Sequence, residues 1–384
     1  MTRILMVSEP GIDGVFRHVE GLIDFLLKTG AEVDFAYSSA RTAPPLLALV
    51  QRVNDAGGET LDLATSNAPS LADIRALLRL RAFVQRRKPT VIHGHSSKAG
   101  ALVRLLPLKN NIGRYYTPHA YYGMGGNSGL KASIFNGIER LLGKRGCTIH
   151  LSPEESEFAN TTLKLKNTQS TIIPNGVDFS LFHPANSASE RDQIRQSLGI
   201  APDAIVIGSI GRLSYQKDPS TLYRAFDHFR RNSTDSANIK LLHVGNGEAE
   251  DVTTLQALAQ QLGITEAIIR PAYRSDPEVF YRAMDTFCLS SRYEGLPFTG
   301  LEALASNLPL ILTDAPGLRS FGAKAYGFSD VYYGTLGSYE SLAEAMQTWH
   351  VNRQSATNHR ERAQVHFSIE EVYGQILELY RSGG

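Results

Sequence analysis

Three short segments carry side chains whose types and spacing suit an anion and a sugar. Ile210-Gly-Arg212-Leu-Ser-Tyr-Gln-Lys217-Asp218 follows an apolar run and sets two cations close together. A guanidinium offers a planar fork of donors and an ammonium a compact charge, a pairing suited to a diphosphate. In Glu294-Gly-Leu-Pro-Phe-Thr-Gly-Leu-Glu302, seven residues separate two carboxylates on a loop that leads into a helix. Glu294, beside glycine and proline at a strand's end, is placed to accept hydrogen bonds from sugar hydroxyls. Thr299-x-x-Glu302 matches a capping box, which predicts that Glu302 caps its own helix. The same helix start turns the amides near Thr299 and Gly300 toward any anion bound there. The third segment, Glu9-Pro-Gly-Ile-Asp-Gly14, joins a strand to a helix, and its glycines let backbone N–H groups approach a phosphate. It is not G-x-G-x-x-G, so a dinucleotide fingerprint is absent. Each segment also has a plain reading, as an exposed basic pair, a capped helix and an ordinary strand-to-helix turn.

The elements around these segments alternate between short β-rich runs and helical patterns, the mark of a parallel α/β sheet. Ile4–Val7, Val33–Tyr37, Thr90–His93, Arg114–Thr117 and Thr148–Ser152 read as strands. Pro174-Asn175-Gly176 is turn punctuation, and the pattern restarts with Ile205–Ile210, Lys240–Val244, Ile268–Ile269, Thr286–Leu289 and Pro309–Leu312. The expected organisation is an N-terminal Rossmann-like domain over 1–178, a linker over 179–190 and a second Rossmann-like domain over 191–365. A C-terminal helix over 366–384 is expected to pack back on the first domain. Ligands of such sheets bind beyond the carboxyl ends of the strands, so a cleft between the halves is the expected site.

The chain has 384 residues, 42% hydrophobic and 20% charged, with a net charge of +1. That composition excludes disorder, collagen and coiled coil. Cys147 and Cys288 cannot make a disulfide framework, and a reducing compartment follows as the expectation. No apolar stretch approaches the roughly 18 residues of a membrane span. Charge is uneven: residues 70–145 hold fourteen Lys/Arg against Asp73 and Glu139, a local +12 that leaves −11 for the rest. With Leu77, Leu78, Leu80, Phe83 and Val84 interleaved, part of this stretch reads as an amphipathic helix facing an anionic membrane. Its other reading is a solvated helix face. Nucleic acid is set aside, because no recognition module accompanies the charge.

Taken together the motifs resemble the retaining nucleotide-sugar glycosyltransferases of family 4, with the GT-B fold of two parallel-sheet domains. The resemblance rests on Arg212 to Lys217, the Glu294/Glu302 pair and Pro174-Asn-Gly-Val-Asp178. It rests also on Gly14-Val-Phe-Arg-His18-Val19, Val91-Ile-His-Gly-His-Ser-Ser-Lys-Ala-Gly100 and Tyr116-Thr-Pro-His119 in the expected order. It implies that Arg212 and Lys217 hold the donor diphosphate and that Glu302 binds the ribose. Glu294 takes the transferred sugar, helped by amides from Phe298 through Thr299 to Gly300. Gly14 lies against the diphosphate, His119 near the reacting sugar, and the base along Arg270 to Tyr273. Three positions depart from the family pattern: Asp13 for the first glycine of a pair, Asp218 for a glycine, and Arg270-Pro-Ala-Tyr273 without its usual glycine.

The implied activity is a hexosyl transfer from a nucleotide diphosphate, UDP favoured, to an acceptor hydroxyl on a lipid-linked or cell-surface glycan precursor. The resemblance suggests a cytoplasmic enzyme of polysaccharide or lipopolysaccharide synthesis, peripheral on the membrane face. No Asp-x-Asp motif occurs in the sequence, so no metal and no other cofactor is expected, with Arg212 and Lys217 neutralising the leaving group. His93 and His95 could suggest a metal pair, but the sequence offers no third ligand beside them. His18 has an ordinary reading as a hydrogen-bonded structural residue. Two rivals remain: a nucleotide-sugar 2-epimerase, which forms product without acceptor, and a non-catalytic nucleotide-sugar-binding protein. A glycosidase lacks a carboxylate pair that could flank the bond.

Overall fold

A computed structural model describes residues 2–11, 13–41, 44–65, 70–108, 111–126, 129–166, 168–272, 274–322, 326–353 and 358–383. Lys109 and Tyr273 lie outside the described residues, as does the side chain of Asp13. The chain forms two compact units, one of residues 1–176 with 369–384 and one of 177–368.

The first unit runs β1 (Arg3–Ser8), α1 (Asp13–Lys28), β2 (Glu32–Tyr37), α2 (Pro44–Asp55), β3 (Thr60–Asp62), α3 (Ala72–Arg87) and β4 (Val91–His95). It continues through α4 (Ser97–Leu105), β5 (Gly113–Thr117), α5 (Leu130–Leu142), β6 (Cys147–His150), α6 (Pro153–Thr161) and β7 (Ser170–Ile172). The described strands pair in parallel in the order β3-β2-β1-β4-β5-β6-β7. A strand covered on both faces must be apolar on both, which is why β1 reads as an unbroken run rather than an alternation. Ile4 and Met6 enter a core with Val19, Leu22 and Ile23 of α1, while Leu5 and Val7 enter one with Leu80, Phe83 and Val84 of α3.

The second unit runs α7 (Ala188–Ser197), β8 (Ile205–Ile210), α8 (Pro219–Arg231), β9 (Ile239–Val244), α9 (Ala249–Leu262), β10 (Ile268–Ile269) and α10 (Glu278–Ala283). Then come β11 (Thr286–Leu289), α11 (Phe298–Ala305), β12 (Leu310–Thr313), β13 (Val331–Gly334), α12 (Tyr339–Asn352) and α13 (His359–Phe367). Its described strands are parallel in the order β10-β9-β8-β11-β12-β13. The stretch read as a linker is partly packed: Phe179 and Phe182 are buried, and Arg360 donates to both of their carbonyls at 2.7 Å. The last helix, α14 (Ile369–Ser382), belongs to the first unit, where Val372, Tyr373, Ile376 and Tyr380 join the α1 core.

The amphipathic reading of α3 needs correction. Leu80, Phe83 and Val84 face the core, Leu77 is half-buried, and of the five apolar residues Leu78 alone is exposed. Part of the basic excess is also spent internally. Arg87 pairs with Asp34 at 2.8 Å and Glu59 at 2.9 Å, Arg86 pairs with Glu59, and Lys98 pairs with Asp73 at 3.0 Å. Arg104 is buried against Glu139 at 2.8 Å.

Candidate functional site

In the second sheet the chain order reverses between β8 and β11, neighbours from which the chain departs in opposite directions. Such a switch point leaves a crevice beyond the strand ends, and the two loops beside it are 211–218 and 290–297. The sequence motifs fall on these two loops. Arg212 is exposed just after β8. Lys217, five residues on, turns its Nζ to Glu294 Oε1 at 2.6 Å, with both side chains largely covered. Gln216 Nε2 reaches the other oxygen of Glu294 at 3.3 Å and the Tyr293 carbonyl at 3.1 Å. The sequence reading assigned Lys217 and Glu294 to different parts of one ligand, and the structure makes them direct partners.

Asp218 shows why a glycine suits its position. Its φ is +47°, in the left-handed region that L side chains avoid. The carboxylate offsets that strain in two ways. It caps α8 by accepting from the Thr221 amide (3.4 Å) and hydroxyl (2.9 Å), and it pairs with Arg292 at 2.8 Å. Arg292 lies over the Tyr215 ring, 4.4 Å from its centre. Ser290 Oγ donates to the carbonyls of Lys217 and Asp218, each at 2.9 Å, which ties the two loops together.

Two glycines fix the approach of neighbouring loops. A Cβ on Gly317, whose φ is +80°, would sit 2.2 Å from the Glu294 carbonyl oxygen, and the Glu294 amide donates to Pro316 at 2.9 Å. A Cβ on Gly245, with φ +147°, would sit 1.8 Å from the Gly211 carbonyl oxygen. Arg270, just after β10, donates to the Gly245 carbonyl at 2.9 Å and so reaches the loop after β9.

The capping box expected at Thr299 and Glu302 does not form. Helix α11 starts at Phe298 with Pro297 as N-cap and no side-chain cap, so Thr299 is already its second residue. Glu302 is buried, and its Oε2 accepts from the Tyr281 hydroxyl at 2.5 Å. Pro297 wins because its fixed φ pre-sets the turn into the helix. Gly300 donates its amide to the Pro297 carbonyl at 3.1 Å, and Phe321 fills the space that a side chain there would need. Thr299, in the first turn, has an amide that helix geometry leaves without an intrahelical acceptor. The Thr299 hydroxyl is covered and has no partner among the described residues.

The first sheet has its own switch point between β1 and β4, where Ser8 is in register with His95. Gly14 is the second residue of α1, at this end of the sheet. Four imidazoles gather nearby. His18 Nδ1 meets Asn175 Oδ1 at 2.9 Å, so the ordinary reading of His18 holds, and its partner comes from the Pro-Asn-Gly segment. His95 Nδ1 lies 3.1 Å from His119 Nε2. His93 meets Tyr380 Oη at 2.5 Å and Thr117 Oγ1 at 2.9 Å. Both ring nitrogens of His93 are thus engaged, and His95 groups with His18 and His119 rather than with His93. His18, His95 and His119 bring ring nitrogens within 4.8 Å of one another and are the described residues that could hold a metal. Burial of the rings, opposed for His18 by the Asn175 hydrogen bond, pushes His18 down to about 4. Burial, then repulsion from the other rings, holds His93, His95 and His119 well below the ordinary histidine value. The cluster is neutral near pH 7.

The His119 backbone is held in an uncommon shape. His119 and Ala120 have φ of +56° and +78°. Glu155, fully buried, accepts from the Ala120 amide at 2.5 Å and the Leu151 amide at 2.7 Å. Burial, against those two hydrogen bonds, lifts its carboxyl to about 7.

Residues 12–181 match the family described as Glycosyltransferase Family 4, and residues 190–366 match glycosyl transferases group 1. The chain belongs to the family 4-type glycosyltransferases. A curated relative in Escherichia coli is the UDP-Gal:alpha-D-GlcNAc-diphosphoundecaprenol alpha-1,3-galactosyltransferase. It is 28% identical over 259 residues, 65% of this chain and 64% of that one. The matches span 64%, 45% and 41% of the length of this and two further curated relatives, so less than two thirds of each. Sucrose-phosphate synthase from Thermosynechococcus elongatus superposes with a TM-score of 0.82 at 19% identity, over 100% of this chain and 99% of that one. Anabaena Alr3699/HepE in complex with UDP superposes at 0.80 and 19% identity over 100% of both chains. These likenesses show a GT-B glycosyltransferase fold with two parallel-sheet α/β domains.

Sequence reasoning missed Tyr281, Gln216, Arg292, Gly317 and Glu155. Tyr281 lies 21 residues before the carboxylate it serves. Glu155 did carry a signal, since Ser152-Pro-Glu-Glu155 spells a capping box and Ser152 accepts from the Glu155 amide at 3.2 Å. Its carboxylate is diverted from the N-cap to the Ala120 loop.

Proposed function

We propose that this glycosyltransferase moves a hexose from UDP to a hydroxyl of a lipid-linked glycan precursor, with retention at the anomeric carbon and without a metal. The observation that carries the reading is the Lys217–Glu294 contact of 2.6 Å at the β8/β11 switch point, with Arg212 on the same loop as Lys217. An ammonium has three donors, so Lys217 can keep Glu294 and still meet a phosphate oxygen. As the bond from the sugar's C1 to the diphosphate breaks, negative charge develops on the departing oxygen. Arg212 and Lys217 are the cations to stabilise it, a task that elsewhere falls to a bound metal. The Thr299 hydroxyl and the first amides of α11 add neutral donors for the anion. Glu294 accepts from sugar hydroxyls. Glu302, oriented by Tyr281, accepts from the ribose.

UDP as donor is supported by the name of the Escherichia coli relative and by the UDP complex of the Anabaena neighbour. The same relative's name supports a lipid-diphosphate acceptor. His119, neutral and held by His95, suits a hydrogen bond to the reacting sugar. The test is transfer from UDP-hexoses to a short-chain lipid-diphosphate sugar in EDTA, with the anomeric proton followed by NMR. Product with the donor's anomeric configuration supports the reading. An inverted product, product formed without acceptor, or full loss on chelation contradicts it.

A further inference from the structure

Helix α5 is apolar on two opposite faces. Ala132 and Leu142 are buried on one side, and Glu139 on that side is sealed by Arg104 at 2.8 Å and the Tyr116 hydroxyl at 2.9 Å. On the other, Leu130, Ile134, Ile138 and Leu141 are 79%, 52%, 36% and 74% exposed. Their spacing of four, four and three places them in one row along the helix. A solvated face does not need such a row, and scattered single apolar residues would not form one.

The charge around the row has one sign. Lys131 and Arg140 flank it on either side, and Lys144 and Arg145 follow at its foot, all exposed. The acidic residue of this stretch, Glu139, is buried and already paired. Lys144 also lines an open depression of about 660 Å³ together with Lys164 and Lys166. The layer of α3, α4 and α5 carries further exposed apolar groups at Leu71 just before α3, Ile74 and Leu78 on α3 and Leu105 on α4. In contrast to α5, the basic residues near the end of α3 are largely matched by Glu59 and Asp34.

We infer that the outer face of α5 docks on an anionic lipid bilayer, inserting Leu130, Ile134, Ile138 and Leu141 while Lys131, Arg140, Lys144 and Arg145 meet the headgroups. A row of large aliphatic groups bordered on both sides by cations is the pattern of an interfacial helix. Each cation that reaches an anionic surface raises partition roughly fivefold, and the acyl region takes up the apolar row. This refines the lipid-linked acceptor of the proposed function, and its evidence stands apart from the donor site.

The test is sedimentation with sucrose-loaded vesicles of phosphatidylcholine, with and without 30% (about one lipid in three) phosphatidylglycerol, at low and high salt. Wild type is expected to sediment with anionic vesicles, to bind neutral ones at least tenfold less, and to be released by salt. Ile134→Glu with Leu141→Glu is expected to lower anionic-vesicle partition more than tenfold. Lys131→Glu with Lys144→Glu is expected to erase the preference for anionic lipid. Circular dichroism and UDP titration confirm that each variant keeps its fold and its donor site. Absence of anionic-vesicle binding at low salt, or wild-type binding by the Ile134/Leu141 variant, overturns the inference. So does a concentration-dependent dimer that this variant disrupts without vesicle binding by wild type, since a second copy of the chain would then cover the row. Vesicle binding without UDP binding would defeat the proposed reaction and leave this surface standing.

Discussion

Lys217, Glu294 and Glu302 enter two separate contacts, one ion pair between Lys217 and Glu294 and one carboxylate, Glu302, held by Tyr281. That separation predicts different failures. Glu302→Gln should weaken UDP binding about tenfold or more, because the carboxylate assigned to the ribose is lost while the Tyr281 contact can persist. Glu294→Gln should leave UDP affinity within about threefold of wild type yet cut turnover by roughly 2–4 kcal/mol, since its role begins at the sugar. Calorimetric titration of UDP beside steady-state kinetics separates the two, and equal losses in both variants would reject the division. Asp218→Ala should cost about 1–2 kcal/mol in urea unfolding, because the cap on Thr221 and the partner of Arg292 go while the left-handed φ remains. The charged residues of the site were legible in the sequence because their spacing is short and local. Their partners were not: Tyr281 reaches Glu302 and Gly317 reaches Glu294 across loops whose approach depends on the folded sheet.

At the scale of elements, the buried strands were legible and most edges were not. Runs such as Ile205–Ile210 and Thr286–Leu289 are covered on both faces and announce themselves by composition. Thr60–Asp62, Ser170–Ile172 and Val331–Gly334 escaped notice, and each is an edge strand of three or four residues with little burial. The helix start at Phe298 was misplaced because Thr299 and Glu302 spelled a cap that Pro297 pre-empts. Loop approach offers a direct test at this scale. Gly317→Ala should destabilise the second unit by about 1–3 kcal/mol and impair transfer, since its Cβ would press on the Glu294 carbonyl at a φ of +80°. Unfolding midpoints and kcat/KM should both fall; a variant with wild-type values in both would show that the loops tolerate separation.

For the molecule as a whole, the buried histidines dictate a response to acid. His18, at about 4 when folded, takes up a proton near 6.5 once unfolded, so unfolding binds protons between those values. Its contribution is present above 6.5 and is lost as pH falls, reaching about 3 kcal/mol by pH 4. His93, His95 and His119 act in the same direction, as does His150, lowered by burial to about 4. Glu155 opposes them: lifted to about 7, it favours the folded state as pH falls from 7 toward its unfolded value. Several rings against one carboxyl predict that the melting temperature drops from pH 7 to pH 5, and that Glu155→Gln steepens the drop. A flat profile would mean that the rings are hydrated rather than buried. None of the chain's described helices is long and apolar enough to cross a membrane.

Whether Arg212 and Lys217 form the diphosphate site of a metal-free donor pocket is decided by titrating UDP calorimetrically in EDTA. Wild type, Arg212→Ala and Lys217→Ala are compared at matched stability. Wild type is expected to bind with metal chelated, and each variant to lose about 2–4 kcal/mol, roughly 30-fold to 1,000-fold in affinity. Wild-type affinity in either variant, or UDP binding that appears only when a divalent cation is restored, would contradict it.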